Sequence, residues 1–592
     1  MELYPQAISQ DVLLDTYAQP GETSIAQVRQ RIAQVLAQAE APAQRAHWQR
    51  HFVQAQAAGF IPAGRIAANA GAPGQATMVN CFVQPVGDSI SHPSGGQPGI
   101  YTALAETAET LRLGGGVGMD FSSIRPHGAQ VAGTATLAAG PVAFMHLFDS
   151  SCAVLSSMAQ RSGAQMGVLR CDHPDIETFV SAKNSGGLSH FNLSVAVTND
   201  FMRCLAAQGE WELVHAAEPG AAQKAAGATR RADGLWRYRS VSAPALWDHI
   251  VRCAHGHGEP GVLFIDRINA ENNLAYCEQI AATNPCGEQP LPPYGACCLG
   301  SVNLGALVSA PFEPNARLDF DQLEAIVPTA VRMLDNVLSL TQWPLPQQRE
   351  QAMAKRRIGL GFTGLGDALV MLGLHYDSVP ARSTATRIAS VMRDAAYRAS
   401  VKLARERGAF PVFDAEQVLR AGSFASRLPP ALQAQIRQHG LRNSHLLCIA
   451  PAGSVSLAFA DNTSSGVEPA YAWRYTRHRR NNRHQSLVAY EVEDHAWRLF
   501  QHLRGAQAEL TPGFVSALEL SPQAHLAMVE AVLPCIDGAI SKTVNAPAGC
   551  DYLSFQMLYR EAWDRGLKGV TAFRPNRVLG SVLQSRRACT LA

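Results

Sequence analysis

From about Asn80 the chain changes texture. Short β-branched or apolar runs broken by glycines alternate with stretches of helical spacing such as Gly140 to Met158 and Asp175 to Lys183. The runs are Cys81-Phe82-Val83, Gly116-Val117-Gly118-Met119-Asp120-Phe121 and Asn192-Leu193-Ser194-Val195-Ala196-Val197. Strands separated by helices return to the same sheet in the same direction, so the pattern predicts a mostly parallel α/β sheet or barrel. At 592 residues the chain exceeds the roughly 250–300 at which one ordinary core stops growing, which leaves several domains or one large barrel. Apolar residues at 47% and charged residues at 17% supply a large core and exclude a disordered chain.

Residues 1–70 read as a helical, polar leading region, with Gln- and Ala-rich stretches such as Ser24 to Gln44. Residues 71–577 carry the α/β alternation, interrupted by an Ala- and Gly-rich surface insertion from Ala217 to Asp233, and 578–592 form a short tail. Near the end, Ser521 to Val532 and Leu553 to Arg565 read as helices and Gly569 to Phe573 as a last strand.

Fifty Lys and Arg against 48 Asp and Glu leave a net charge of +2, far from the concentrated basic character of a nucleic-acid binder. The N-terminus has neither the basic start nor the apolar run of a signal peptide, and no stretch of about 18 apolar residues occurs, so neither nucleic acid nor membrane is expected as a partner and the cytoplasm is the expected location. Thirteen cysteines are too sparse for a disulfide scaffold, and most are expected to be reduced and buried.

Gly359-Leu360-Gly361-Phe362-Thr363-Gly364 fits a G-x-G-x-x-G dinucleotide pattern, but Ala354-Lys355-Arg356-Arg357 stands where its buried strand belongs, so it reads as a tight helix-packing turn. No C-x-x-C and no H-E-x-x-H occurs, and no metal ligands are assigned. The segment Asn284-Pro285-Cys286-Gly287-Glu288 says more. An amide, a thiol and a carboxylate at alternate positions share one side if the stretch is extended, which would join a reactive sulfur, a proton carrier and a holder of substrate hydroxyls. On this segment alone, a turn with a buried Cys is an equal reading.

NPCGEQPLPPYGACCLGSVNL resembles the active-site stretch of the large ribonucleotide reductase family, and NCFVQPVGDS its first redox-cysteine strand. LRLGGGVGMDFSSIRPHG, the Arg161 to Val168 run RSGAQMGV, KNSGGLSHFNLSV, RRIGLGFTGLGDAL, PAGSVSLAFADNTSSGVEPAY, and AISKTVNAP followed by AWDRGLKGVTAFRPN match in the family's order, from roughly Gln6 to Asn576. The wording of GGGVGMDFSSIRP and RSGAQMGVLRCDHPDIE is most similar to the adenosylcobalamin-dependent class. Adjacent tyrosines that relay a radical from a partner subunit are replaced by Ala572 and Phe573, and no R-x-x-G-Y loop of the glycyl-radical class appears in the last fifty residues.

The resemblance implies a ten-stranded α/β barrel with Cys286 on an interior loop as the thiyl radical carrier, adenosylcobalamin as cofactor, Glu288 as base and Asn284 as holder of substrate hydroxyls. It implies Cys81 and Cys297 as the electron-donating pair, with Cys298, next in sequence, on the opposite strand face in a structural role. Asn80 and the Ala452, Gly453, Ser454, Val455 and Ser456 loop would bind the ribonucleotide, the loop largely through backbone N–H groups where a helix begins. Asp88 and Arg125 match residues that bind a deoxynucleotide or ATP effector, and Lys183 to Phe191 the loop linking effector to substrate base. A second basic residue of the effector loop falls at Ala132. Diphosphate substrates, a homodimer and a thioredoxin- or glutaredoxin-like reductant are expected. The lone Cys589 replaces the family's C-terminal cysteine pair. Two other readings stay open: a large subunit served by a separate radical-generating subunit, and an inactive nucleotide-binding regulator.

Overall fold

The computed structural model describes residues 3–74, 76–131, 133–134, 136–158, 163–184, 186–480, 487–574 and 583–585. Ala132, Cys589 and most of the tail lie outside the described residues. Ten strands build the central layer: β1 Phe60–Pro62, β2 Cys81–Gln84, β3 Gly116–Asp120, β4 Gln165–Arg170, β5 Phe191–Val197, β6 Gly261–Phe264, β7 Ala296–Asn303, β8 Ile358–Thr363, β9 Thr543–Asn545 and β10 Gly569–Phe573.

β2 through β6 pair in sequence order and all run parallel. β10 joins β6 antiparallel, with β9 parallel to β10 on its far side. At the other end, β7 lies antiparallel to β2 and parallel to β8. The path then continues through single parallel bridges, Leu360 to Leu447 and Ile449 to Ile540, with Cys448 N–H donating to Leu360 O and Ser541 N–H to Ile449 O. Residues 540–541 lead directly into β9, so the two ends of the sheet meet. β2 to β6 thus form one parallel five-membered half, and β7, β8, the bridged residues 447–449, β9 and β10 form a second set antiparallel to it, with β1 flanking β7 outside both; this is the arrangement of the ten-stranded α/β barrel expected of the sequence.

Alternation along the strands sorts the side chains. Cys81, Val83, Cys297 and Leu299 point into an interior cluster with Met166, Val168, Ala196, Leu263, Leu291, Cys448 and Ala450. Phe82, Cys298 and Val302 belong instead to the outer core under the helices. Helix α1, Ile100–Arg112, crosses from β2 to β3, and α2, Pro141–Met158, from β3 to β4. The long helices α3, Phe320–Leu340, and α4, Val379–Arg407, pack on the second half.

Two local readings are corrected. The leading region is not wholly helical: Phe60–Pro62 pairs with Gly300–Val302 of β7, because three consecutive buried residues satisfy the free edge that β7 offers there. The G-x-G-x-x-G segment is strand β8, with Gly364 in the left-handed region (φ 73°) ending it before a helix at Leu365–Met371. Its glycines are required by neighbouring backbone, since a Cβ on Gly361 would stand 2.2 Å from Cys448 O. The insertion carries a short helix, Ala221–Ala225, and a strand, Thr229–Arg230, that joins the flanking strands Glu210–His215 and Trp236–Ser242 in a small antiparallel sheet.

A buried ionic network ties the leading region to the barrel. Glu40 accepts from Arg332 (2.9 Å), Asn336 (2.8 Å) and Arg407 (2.6 Å), and Asp335 on the same α3 pairs with Arg356 (2.8 Å) at the entrance to β8. No helix among the described residues is long and apolar enough to cross a membrane.

Candidate active site

Asn284 to Glu288 is a tight turn, not the extended segment the alternation suggested. Ala282 and Thr283 pair with Leu291 and Pro290, Gly287 N–H donates back to Asn284 O (3.1 Å), and Gly287 takes φ 84°. Pro285 and Gly287 impose the reversal. It still unites the three functional groups: Asn284 and Glu288 become neighbours at its base, with Asn284 Nδ2 donating to Glu288 Oε1 at 2.8 Å, while Cys286 stands exposed at its tip. The turn is held to the barrel by Asn192 Nδ2, which donates to Pro285 O (2.9 Å), and is closed on itself by Gln289 N–H, which donates to Asn284 Oδ1 (2.9 Å).

The redox candidates lie beside that base. Cys297 is the direct antiparallel partner of Cys81. Asn284 Nδ2 also lies 3.2 Å from Cys81 Sγ, and the Cys81 thiol points at Glu288 Oε1 from 3.8 Å. Cys298 faces away and donates to Leu334 O at 3.4 Å on α3.

Burial sets the proton affinities. The Glu288 carboxyl is pushed up to about 7 by burial, against the opposing hydrogen bonds from Asn284 and Cys81. Burial, reinforced by the nearby Glu288 carboxylate, holds the Cys81 thiol well above the usual thiol range, and burial does the same to Cys297. Both sulfurs are therefore kept protonated, the form that can release protons together with electrons. Among the described residues Glu288 Oε2 and Asn80 Oδ1 are buried with no hydrogen-bond partner, two acceptors available to ligand hydroxyls.

Cys286 opens on a cavity of about 410 Å³ lined by Asn192, Glu259, Pro451, Lys542 and the edges of β9 and β10. The β10 wall is Gly569, Thr571, Ala572 and Phe573, with Ser541 beside it. Gly569 and Ala572 on that wall carry little or no side chain beside the exposed Cys286 thiol, and this is the side on which a cofactor could approach it. Among the described residues no cluster of three or more His, Cys, Asp or Glu is arranged to hold a metal ion.

Pro451 also places the Ala452–Ser456 loop at the cavity, where helix α5, Gly453–Phe459, begins with Ala452 as its cap. Two of the five nominated amides are already used: Ala452 N–H donates to Ser465 Oγ (2.8 Å) and Ser456 N–H to Ala452 O (2.7 Å). Gly453, Ser454 and Val455 supply first-turn N–H groups that lack intrahelical acceptors. Asp88 and Arg125 are in one ion pair (3.0 Å), with Arg125 N–H also donating to Asp88 (2.9 Å), rather than standing apart. Asp88 lines a second cavity of about 350 Å³ with Ser122, Ser123, Arg170, His173 and His215.

Sequence reasoning passed over three members of the site. Asn192 and Gln289 lie within the quoted motifs but carry no residue type that marks catalysis. Cys448 is a third interior thiol, close enough that burial and then the Glu288 carboxylate raise its proton affinity. Its one signal was its place three residues before Pro451.

A family model described as the ribonucleotide reductase barrel domain matches residues 79–573. A vitamin B12-dependent ribonucleoside-diphosphate reductase of Mycobacterium tuberculosis strain CDC 1551 is 35% identical, over 97% of this chain and 79% of that protein. One of the same name from Thermoplasma acidophilum is 33% identical over 90% of this chain and 65% of its own length. A ribonucleoside-diphosphate reductase subunit alpha of Synechocystis is 28% identical over 74% of this chain and 59% of its own length. The ring of ten strands around the Cys286 turn, the match across nearly all of that ring and the relatives that span the chain agree, and the chain belongs to the ribonucleotide reductase family.

Proposed function

We propose that the protein reduces ribonucleotides, taken as diphosphates, to 2′-deoxyribonucleotides with adenosylcobalamin as cofactor and the Cys81 and Cys297 thiols as reductant. The observation that carries this reading is the placement of an exposed Cys286 on a turn whose base joins Asn284, Glu288 and the Cys81–Cys297 pair. The radical on Cys286 is the one piece of chemistry that adenosylcobalamin supplies when bound, from the cavity side walled by Gly569, Ala572 and Ser541.

The remaining chemistry belongs to the chain. Cys286 takes the ribose 3′-hydrogen and later returns it, an exchange between bonds of similar strength. Glu288 takes the 3′-hydroxyl proton, for which an affinity near neutrality is suited, and Asn284 orients the hydroxyls. The 2′-hydroxyl leaves as water with a proton from the thiol pair, and Cys81 and Cys297 give two electrons and end as a disulfide. Gly453, Ser454 and Val455 receive the phosphates. The pocket bearing Asp88 takes the effector, and an external dithiol of the thioredoxin or glutaredoxin kind restores the thiols. Exposed Tyr101, Leu147 and Val154 on the packed helices α1 and α2 support a homodimer through that face.

Purified chain, adenosylcobalamin, a dithiol and a ribonucleoside diphosphate should yield the deoxynucleotide with no second protein, and Cys286→Ala should abolish it. A requirement for another subunit would favour the two-subunit reading, although Ala572 and Phe573 stand where that reading needs tyrosines. Turnover persisting in Cys286→Ala would remove the mechanism.

A further inference from the structure

The start of β5 makes three successive attachments, each to a different part of the site. Phe191 O accepts from Lys183 Nζ, which closes the base of the loop running from Lys183 to Phe191. Asn192 Nδ2 donates to Pro285 O at 2.9 Å, the residue before Cys286. Leu193 N–H donates at 2.9 Å to Glu259, whose carboxylate lines the cavity that Cys286 faces. Glu259 also pairs with Lys183 at 2.9 Å, both side chains being about one-fifth exposed. One carboxylate thus fixes both the closing residue of the loop and the strand that carries the Asn192 link to the catalytic turn. On its other side the loop is held to α2, where His190 N–H donates to Asp149 Oδ1 at 2.8 Å.

We propose that Glu259 is a positioning residue that couples the loop between Lys183 and Phe191 to the position of Cys286. A shift of the loop that pulls Lys183 away from Phe191 O must stretch its bond to Glu259. Glu259 can yield only by releasing Leu193 or carrying it along, and Asn192, adjacent on the same strand, then moves Pro285. The geometry alone carries this coupling. Its use, transmitting effector identity from the loop to the choice of ribonucleotide, rests on the function proposed above.

The test separates the two. The full chain is treated with iodoacetamide and the labelling rates of Cys286 and of Cys277, an exposed thiol outside the cavity, are read from their peptides. Glu259→Gln and Lys183→Met should each change the Cys286 rate in the same direction by about 2- to 30-fold, with Cys277 unchanged. Because both remove the Glu259–Lys183 pair, the double variant should fall well short of the product of the single effects, and Lys183→Arg should keep the wild-type rate. A Cys286 rate untouched by either variant, or effects that multiply in the double variant, would overturn the coupling. In turnover, the effector-driven ratio of kcat/KM between two ribonucleotides should collapse in Glu259→Gln toward the ratio the same variant shows without effector, whatever the change in its kcat. A ratio that still responds in full overturns the use proposed for the coupling. A wild-type chain that reduces no ribonucleotide sinks the function instead, and the labelling rates still decide the coupling.

Discussion

Cys81 and Cys297 are direct partners across the antiparallel pair of β2 and β7, and both point into the barrel. Antiparallel partners place their Cα atoms about 4.5–5.5 Å apart, inside the roughly 4.4–6.8 Å that a disulfide spans. Turnover without external reductant should therefore leave a Cys81–Cys297 disulfide, detected by peptide mapping as a linked pair lacking two hydrogens. Cys81→Ser and Cys297→Ser should each abolish dithiol-coupled turnover. Cys298→Ser should retain it, because Cys298 is turned into the outer layer under α3. Cys448→Ser should retain it as well, because β8 lies between Cys448 and β7. Loss in Cys298→Ser with retention in Cys297→Ser would reverse the assignment.

Glu288 predicts a pH dependence with a definite sign. A base acts only when deprotonated, and burial has pushed this carboxyl up to about 7, so activity should fall as pH drops through neutrality. Glu288→Gln should remove that limb and lower kcat by about 10²–10⁴-fold. In the folded chain the carboxyl keeps its proton to higher pH than in the unfolded chain, where it ionises near about 4.3. Between those values the folded state binds more protons, so stability falls as pH rises through the window, at up to about 1.4 kcal/mol per pH unit. Urea midpoints across that range should slope downward in the wild type and less steeply in Glu288→Gln.

The barrel was legible in the sequence because glycine-broken apolar runs separated by helices leave few other arrangements, and ordered motifs carried the family resemblance. Features decided by long-range neighbours were not. Phe60–Pro62 is a strand only because β7 has a free edge, and the β8 glycines look like a phosphate loop until Cys448 O is seen 2.2 Å from a Cβ at Gly361. At the site, residue types nominated Asn284, Cys286 and Glu288 as a set on one side of an extended segment, whereas the structure puts Asn284 and Glu288 in contact at the base of a turn and Cys286 at its tip. Pro285 and Gly287 make a turn, and the turn brings amide and carboxylate within 2.8 Å. Asn192 escaped notice because its role is to hold a backbone carbonyl, and no sequence pattern records which carbonyl a side chain will meet.

Glu40 joins the leading region to the barrel by a contact that composition does not show. Its carboxylate is buried between Arg332, Asn336 and Arg407, and Arg332 is also stacked 3.8 Å over the Trp48 ring. Glu40→Ala removes the anion that the two guanidinium groups share, but Arg332 keeps Glu406 and Arg407 keeps Asp335, so the cost should fall below the roughly 3–5 kcal/mol of a buried charge left with no partner. Chemical unfolding should show that loss, with limited proteolysis entering first between residues 1 and 70. An unfolding midpoint unchanged from wild type would mean that the leading region is held by its apolar contacts alone.

Gly118 gives the sharpest test of how the barrel positions the catalytic turn. It lies on β3, and a Cβ there would stand 1.7 Å from Thr283 O, the backbone carbonyl immediately before Asn284. A backbone oxygen cannot rotate away as a side chain can, so Gly118→Ala has to displace the Thr283–Asn284 segment itself. Misplacement of reacting groups by about 1 Å can cost roughly 10²-fold, and the displaced segment carries Asn284 and, through the turn, Cys286 and Glu288. Gly118→Ala should therefore lower kcat/KM by about that factor or more while circular dichroism shows the same helix and strand content. Gly549→Ala is the matched control: a Cβ there meets nothing within 4 Å, so the same added methyl group should leave the fold and the catalytic turn undisturbed. Turnover in Gly118→Ala equal to wild type would show that the β3 contact does not hold the turn, and would shift that role to Asn192.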